Sequence, residues 1–179
     1  TGTSSTAIEY SQKFCERVMS RLSVKTGEKP FIVEIASNDG TFLKRFVEAN
    51  CQVQGVDPAR NIVEIAQKSG IPTRADFFNR PVAEDIRNSH GAATAVIARN
   101  VIPHVKEVHS IIDGISHLIG DEGIGVIEFH YARNIIDELH YDSVYHEHLF
   151  YFSMKSMSGL LERYGLKIFD VENSPISGG

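Results

Sequence analysis

The chain has 179 residues, 42% of them apolar and 23% charged, and a formal net charge of −5, the composition of one soluble globular domain with a sizeable core. An acidic balance and a pI near 5.9 argue against a nucleic-acid surface, which is normally basic, and no apolar run approaches the length of a membrane span or opens the chain as a signal peptide. Cys15 and Cys51 match no paired metal or redox spacing, so a cytoplasmic, reduced setting is expected, and a chain running from Thr1 to Gly179 without an initial methionine reads as a piece of something longer.

Ser4-Ser5-Thr6 can cap a helix to about Leu22, with Phe14, Cys15, Val18, Met19 and Leu22 as its stripe. Residues 1–28 therefore read as a helical lead-in, and residues 29–179 as the main domain. Phe31-Ile-Val-Glu-Ile35 is a short buried strand. It runs through the turn cluster Ser37-Asn-Asp-Gly40 into a helix from Thr41 to Ala49 with Phe42, Leu43, Phe46 and Val47 on one face. A second strand, Cys51 to Val56, ends on Asp57-Pro58. A helix from Asn61 to Ser69 is closed by Gly70, and a third strand, Ile71 to Ala75, leads into Asp76-Phe77. Ala83 to Asn88 is weakly helical. Ala92 to Ala98 is a fourth strand, and Val108 to Ile119 an amphipathic helix ended by Gly120. Gly123 to Phe129 is a fifth strand. From His130 to Phe152 the periodicity breaks up among histidines and tyrosines. Ser153 caps a last helix stopped by Gly165, and Leu166 to Val171 reads as a further strand. Strands alternating with helices give an α/β fold with a mainly parallel sheet covered on both faces, whose ligands bind outside the carboxyl ends of the strands.

The turn after the first strand carries the first chemical signal. A helix opened by such a turn offers free backbone N–H groups and a positive dipole end to a ligand carboxylate or phosphate. A dinucleotide turn would need G-x-G-x-x-G and a P-loop a Gly-Lys-Ser/Thr ending; neither is present. Glu34-x-Ala36-x-Asn38-x-Gly40 instead resembles the first motif of class I S-adenosylmethionine-dependent methyltransferases, E/D-x-G-x-G-x-G, with Ala36 and Asn38 in place of two glycines. That resemblance implies a Rossmann-like methyltransferase fold, with Glu34, Ala36, Ser37, Asn38 and Gly40 at the cofactor. Asp57 can accept ribose hydroxyls or simply cap the following helix. Asp76 and Phe77 suit an adenine, or are a solvated acid beside a core ring. Acids at three successive strand ends favour adenosylmethionine over NAD.

The second signal is His140-Tyr-Asp-Ser-Val-Tyr145-His-Glu-His148. A zinc site of the H-E-x-x-H type needs two histidines on one helical face, which this spacing does not provide, so no metal is expected. The residue types suit proton transfer: an imidazole, a carboxylate orienting it, and a phenol donating to a developing oxyanion.

Taken with Gly55-Val-Asp-Pro58, Ala98-Arg-Asn-Val-Ile-Pro-His104, Tyr145-His-Glu-His148 and the terminal Pro175-Ile-Ser-Gly-Gly179, the chain from about Ile32 onward looks like the sugar C-methyltransferase family. Those enzymes act on nucleotide-linked 4-keto deoxysugars, in branched-sugar and antibiotic pathways. Complete members carry an N-terminal zinc module and a C-terminal domain, neither present in this chain. The resemblance implies His148 as general base, Glu147 orienting it, Tyr145 and His104 at the enolate oxygen or positioning the substrate, and Pro58 and Asn100 at the cofactor, Asn100 at its methionine end. Methyl transfer to oxygen or nitrogen, an NAD-dependent sugar-nucleotide oxidoreductase or epimerase, and a cofactor-binding module without turnover are the alternatives.

Overall fold

A computed structural model describes residues 5–174; the expected cap at Ser4 and the Pro175–Gly179 segment lie outside them. Among the described residues the strands are β1 (Phe31–Ile35), β2 (Gln52–Asp57), β3 (Thr73–Ala75), β4 (Ala95–Arg99) and β5 (Ile124–Glu128), all parallel, in the order β3-β2-β1-β4-β5. The helices are α1 (Ser5–Met19), α2 (Thr41–Glu48), α3 (Arg60–Lys68), α4 (Arg80–His90), α5 (Val108–Ile119), α6 (Ala132–Asp137) and α7 (Met154–Glu162).

Strand alternation sorts the apolar side chains into two cores. Ile32, Ala95 and Ile97 point to one face, where Phe14, Val18, Leu43, Phe46 and Ala66 of α1, α2 and α3 cover them. Val33, Ile35, Val96 and Ala98 point to the other, packed by α4, α5 and α7 through Ile86, Ile112, Ile115 and Leu161. β1, buried along its whole length, is the centre of the sheet, and each fully buried aliphatic contributes about 1.5–3 kcal/mol. Gly55 on β2 lets β1 and β3 close up: a Cβ there would sit 2.4 Å from Ser37 Oγ and 2.9 Å from Thr73 Oγ1.

Two segments differ from expectation. The weakly helical Ala83–Asn88 is the middle of α4, an 11-residue helix. Its start is set by Asn79, whose side chain accepts from the Val82 N–H at 2.9 Å, with Pro81 in the first turn. The expected strand Leu166–Val171 is not a strand. A strand needs a ladder partner for its backbone, and β5 pairs only with β4 among the described residues. A cleft of about 900 Å³ separates β5 from residues 166–174. That segment is tied instead to α1 and the turn after it, by Arg17 to Glu172 at 2.8 Å and Arg21 to Asp170 at 2.6 Å. No described helix is long and apolar enough to cross a membrane.

Where β1 ends, the backbone turns through three left-handed residues at alternate positions: Ala36 (φ 53°), Asn38 (φ 53°) and Gly40 (φ 78°). These are the three glycine positions of the motif, so the turn keeps its shape although two glycines are replaced. Asparagine tolerates this region; alanine is held there at a cost of roughly 1–2 kcal/mol. Below the turn Glu34, 1% exposed, is ion-paired to Arg99 at the end of β4, whose Nε and Nη2 both reach Oε1 at 3.1 and 2.9 Å. The guanidinium is stacked on the Phe42 ring of α2, 3.1 Å from its centroid. Burial pushes the Glu34 carboxyl up from the ordinary carboxylate range, and the Arg99 charge opposes it.

These contacts predict stability effects readable by urea unfolding. Gly40→Ala combines a left-handed φ with a Cβ 3.0 Å from Ile71 and should destabilise by roughly 2 kcal/mol or more. Ala36→Gly should be neutral to stabilising by up to about 1 kcal/mol, strain relief being partly offset by unfolded-state entropy. Arg99→Met leaves Glu34 without a counter-charge and should cost about 3–5 kcal/mol, most of it recovered on adding Glu34→Leu.

Candidate active site

The carboxyl ends of β1 and β2 are joined through a side-chain acid, and those of β2 and β3 by the Asp76 N–H donating to the Asp57 carbonyl at 3.2 Å. Asp57, 7% exposed, accepts from the Asn38 N–H through Oδ2 at 3.0 Å and from the Ala59 N–H through Oδ1 at 2.9 Å. It thereby ties the turn after β1 to the loop after β2, while each oxygen keeps a lone pair for a further donor. Pro58 is exposed beside it. Asp76 accepts from Arg74 at 2.9 Å and from the Phe77 N–H. The Phe77 ring, 73% exposed, is an uncovered apolar surface at the end of β3.

Two expectations about the first turn are revised. Ser37 does not face the open side: it is 3% exposed, and its hydroxyl is turned toward Gly55. The start of α2 is not a bare donor either. The Asp39 carboxylate accepts from the Thr41 N–H at 3.1 Å and from its hydroxyl at 2.6 Å, so an anion arriving there would meet an acid already in place. Asn38 is exposed at the surface of the turn, and the Ala36 side chain is half-buried.

On the α1 side of the sheet, Glu34 and Arg99 continue into a polar strip at the strand ends. Asn100, left-handed at φ 51°, donates its amide to Glu128 Oε1 at 2.6 Å. Tyr10 of α1 donates its hydroxyl to Glu128 Oε2, also at 2.6 Å. Two buried oxygens here, Glu34 Oε2 and Asn100 Oδ1, have no partner among the described residues. Arg99, Glu128 and Tyr10 were not singled out from sequence. The parity of residues 34, 99 and 128 at their strand ends was the available signal.

The histidine cluster assembles from three loops. After β4 a 3-10 turn, Ile102–His104, offers the Pro103 carbonyl to the N–H groups of Leu149 and Phe150 at 2.8 and 3.2 Å. That clamp sets His148 against His104, ring centroids 4.6 Å apart. The Tyr145 ring lies against His148, centroids 4.2 Å apart and planes tilted by 40°. His130, just past β5, approaches it at 5.1 Å. His148 is 6% exposed. Its Nδ1 lies 2.7 Å from the Ser143 carbonyl, which can only accept, so Nδ1 carries the proton. In the neutral ring Nε2 is then the lone pair, 3.2 Å from the Tyr145 hydroxyl. By the same reasoning His104 donates from Nδ1 to the Glu147 carbonyl at 3.0 Å, leaving its Nε2 toward the cluster.

Glu147 therefore does not orient His148 through its carboxylate. That side chain is exposed, the Ser143 carbonyl does the orienting, and Glu147 serves the cluster through its own carbonyl. His130 is the histidine that sequence reading passed over. Its Nδ1 is buried without a partner. Burial, reinforced by His148 and His104, lowers its pKa and favours the neutral ring. No motif marked it; its place two residues beyond Glu128, at the same sheet edge, was the only hint.

The sequence profile of the methyltransferase domain family matches residues 7–171. The C-methyltransferase NovU of Streptomyces niveus is 33% identical over 172 residues, 96% of this chain but 40% of that protein; the chain thus spans less than half the length of this curated relative. Among solved structures, the methyltransferase in complex with the Haloferax volcanii Trm112 methyltransferase activator superposes with a TM-score of 0.65 at 11% identity, over 90% of this chain and 71% of that one. The magnesium protoporphyrin IX methyltransferase of Synechocystis PCC 6803, with S-adenosylmethionine bound, gives 0.61 at 14% identity over 90% and 72%. A parallel α/β sheet of this order, a left-handed turn after its first strand and a family match across nearly the whole chain agree: the chain is a class I S-adenosylmethionine-dependent methyltransferase domain and belongs to the methyltransferase domain family.

Proposed function

We propose that this domain methylates carbon, at the position next to a ketone of a nucleotide-linked deoxysugar, with Nε2 of His148 as the general base. The observation that carries the reading is the tautomer of His148: the Ser143 carbonyl holds the proton on Nδ1 and leaves a lone pair on Nε2, beside a phenol. The similarity to a C-methyltransferase supports carbon as the acceptor.

The strand-end residues fit the cofactor. Glu34 Oε2 and Asn100 Oδ1 are buried acceptors without partners, suited to the ammonium of its amino-acid end. Asp57 has lone pairs for ribose hydroxyls, and Phe77 is an uncovered ring for adenine. When bound, S-adenosylmethionine supplies an electrophilic methyl group on a cationic sulfur.

The chain's own residues handle the proton and the oxygen. His148 Nε2 takes the proton from the carbon beside the ketone, while Nδ1–H stays on Ser143 and stabilises the imidazolium that forms. Without substrate the Tyr145 hydroxyl donates to Nε2; with substrate it turns to the developing enolate oxygen, uncovering the base as it supplies the oxyanion donor. His104 has its Nδ1–H committed to Glu147. Its Nε2 accepts from a sugar hydroxyl as the neutral ring and donates to the enolate only as imidazolium. The nucleotide portion of the substrate would be held by flanking domains of a longer protein, of which this chain corresponds to the stretch matching 40% of NovU.

Calorimetry with S-adenosylhomocysteine should give micromolar binding, weakened at least tenfold by Asp57→Ala, since the acid holds both loops and the ribose; NAD should not bind. Binding to NAD in preference would sink the reading. In heavy water, with a nucleotide-linked 4-keto deoxysugar and no methyl donor, the protein should exchange deuterium into the carbon beside the ketone. His148→Ala should slow that exchange and methyl transfer by about 10²–10⁴. Glu147→Gln should change them by no more than about threefold, because a solvent-exposed carboxylate removed from the reacting atoms adds little. A loss on Glu147→Gln as large as on His148→Ala would return the carboxylate to the mechanism.

A further inference from the structure

The two ends of the Asn100 amide have different surroundings. Nδ2 donates to Glu128 Oε1 at 2.6 Å, and the Asn100 backbone N–H donates to the Glu128 carbonyl at 2.8 Å. Oδ1 is buried with no partner. A carboxylate only accepts, so turning the amide over would set oxygen against oxygen. Glu128 thus decides which amide atom faces the ligand side. Glu128 is fixed in turn. Its Oε2 accepts from the Tyr10 hydroxyl at 2.6 Å, and the Ser174 hydroxyl lies 3.1 Å from the same phenol oxygen. Burial, followed by the bond to Glu128, pushes the Tyr10 phenol up to about 12, so it remains a donor at neutral pH. Asn100 is also held at φ 51°, a backbone region that few residues occupy without support from their surroundings.

We propose that Tyr10 and Glu128 are positioning residues, which fix the Asn100 amide so that Oδ1 is an acceptor for the ammonium group of the cofactor's amino-acid end. The inference rests on reading Asn100 as a cofactor contact. It follows from the chemistry of the strip. Glu34 Oε2, the second oxygen of the strip that is buried without a partner among the described residues, belongs to the carboxylate that Arg99, the residue before Asn100, holds through its other oxygen. Two acceptor oxygens at adjacent strand ends call for a ligand group with several N–H donors, not for an anion. Tyr10 also makes α1 part of the site. The phenol belongs to a helix that packs on α2 through Phe14 and Phe42, ring centroids 5.6 Å apart, so the placement of α1 is transmitted to Asn100 through one carboxylate.

The test compares S-adenosylhomocysteine with 5′-methylthioadenosine, which keeps the adenosine and the sulfur but lacks the amino-acid end. Calorimetry on the chain should show Asn100→Ala weakening the first about five- to tenfold, the size of one net hydrogen bond to a charged group, and leaving the second unchanged. Glu128→Leu should give the same selective loss, and Tyr10→Phe, which removes a single oxygen, a smaller loss in the same direction. In the Asn100→Ala background neither should weaken binding further, because each acts through that amide. Equal weakening of both ligands by Glu128→Leu and Tyr10→Phe, no weakening, or full additivity with Asn100→Ala would overturn the proposal. If Asn100→Ala is selective while the other two are silent, only the positioning role falls. If Asn100→Ala does not change the ratio of the two affinities, the contact reading falls and the positioning role with it.

Discussion

A charge buried at the centre of a sheet must be answered, and here Arg99 answers Glu34. The acid stands at the end of the central strand, 1% exposed; the guanidinium that meets it comes from the neighbouring strand and lies on Phe42. The arrangement joins β1, β4 and α2 at the point where the chain turns from fold to site. Pairs of this kind contribute little net stability compared with a well-packed apolar pair, yet breaking one is severe. Its effect is to make alternatives costly. A slipped register of β4 against β1 would separate the two charges and expose neither.

The chemistry on the far side of that junction is set by backbone carbonyls rather than by acidic side chains. Ser143 and Glu147 each present a carbonyl to an imidazole, and a group that only accepts dictates which nitrogen bears the proton. Such control does not vary with pH as a carboxylate partner would, because a peptide oxygen has no charge to lose. The Pro103 carbonyl, accepting from two successive N–H groups, holds the whole loop to the end of β4. His148, Tyr145 and His104 are therefore positioned by main chain that the loop's own turns create.

Much of the fold could be read in advance because its signals are local. The apolar run of β1, the turn at Gly40, the stripe of α5 and the acids at successive strand ends each depend on a few neighbouring residues. Most of what failed depended on partners distant in sequence. Residues 166–171 have strand-like composition, but their ladder partner lies across a cleft. Glu147 sits beside His148 in sequence, yet the 3-10 turn over Tyr141–Ser143 brings a carbonyl to the imidazole where its carboxylate was expected. Arg99 stands within Ala98–His104, but only the register of β4 against β1 shows what it faces. His130 belongs to no motif at all and becomes visible only when three loops meet.

The edge of β5 has a bearing on how the domain behaves in bulk. Ile124, Val126 and Glu128 are only half-covered, and the backbone donors and acceptors on that side have no neighbouring strand among the described residues. Such an edge is a template for pairing with any extended chain that reaches it, including a second copy. Among the described residues, a 5-residue strand length and the acid at its end, Glu128, blunt it. Handled alone and concentrated, the domain is thus exposed to edge-to-edge association at β5, next to the carboxylate that holds Asn100.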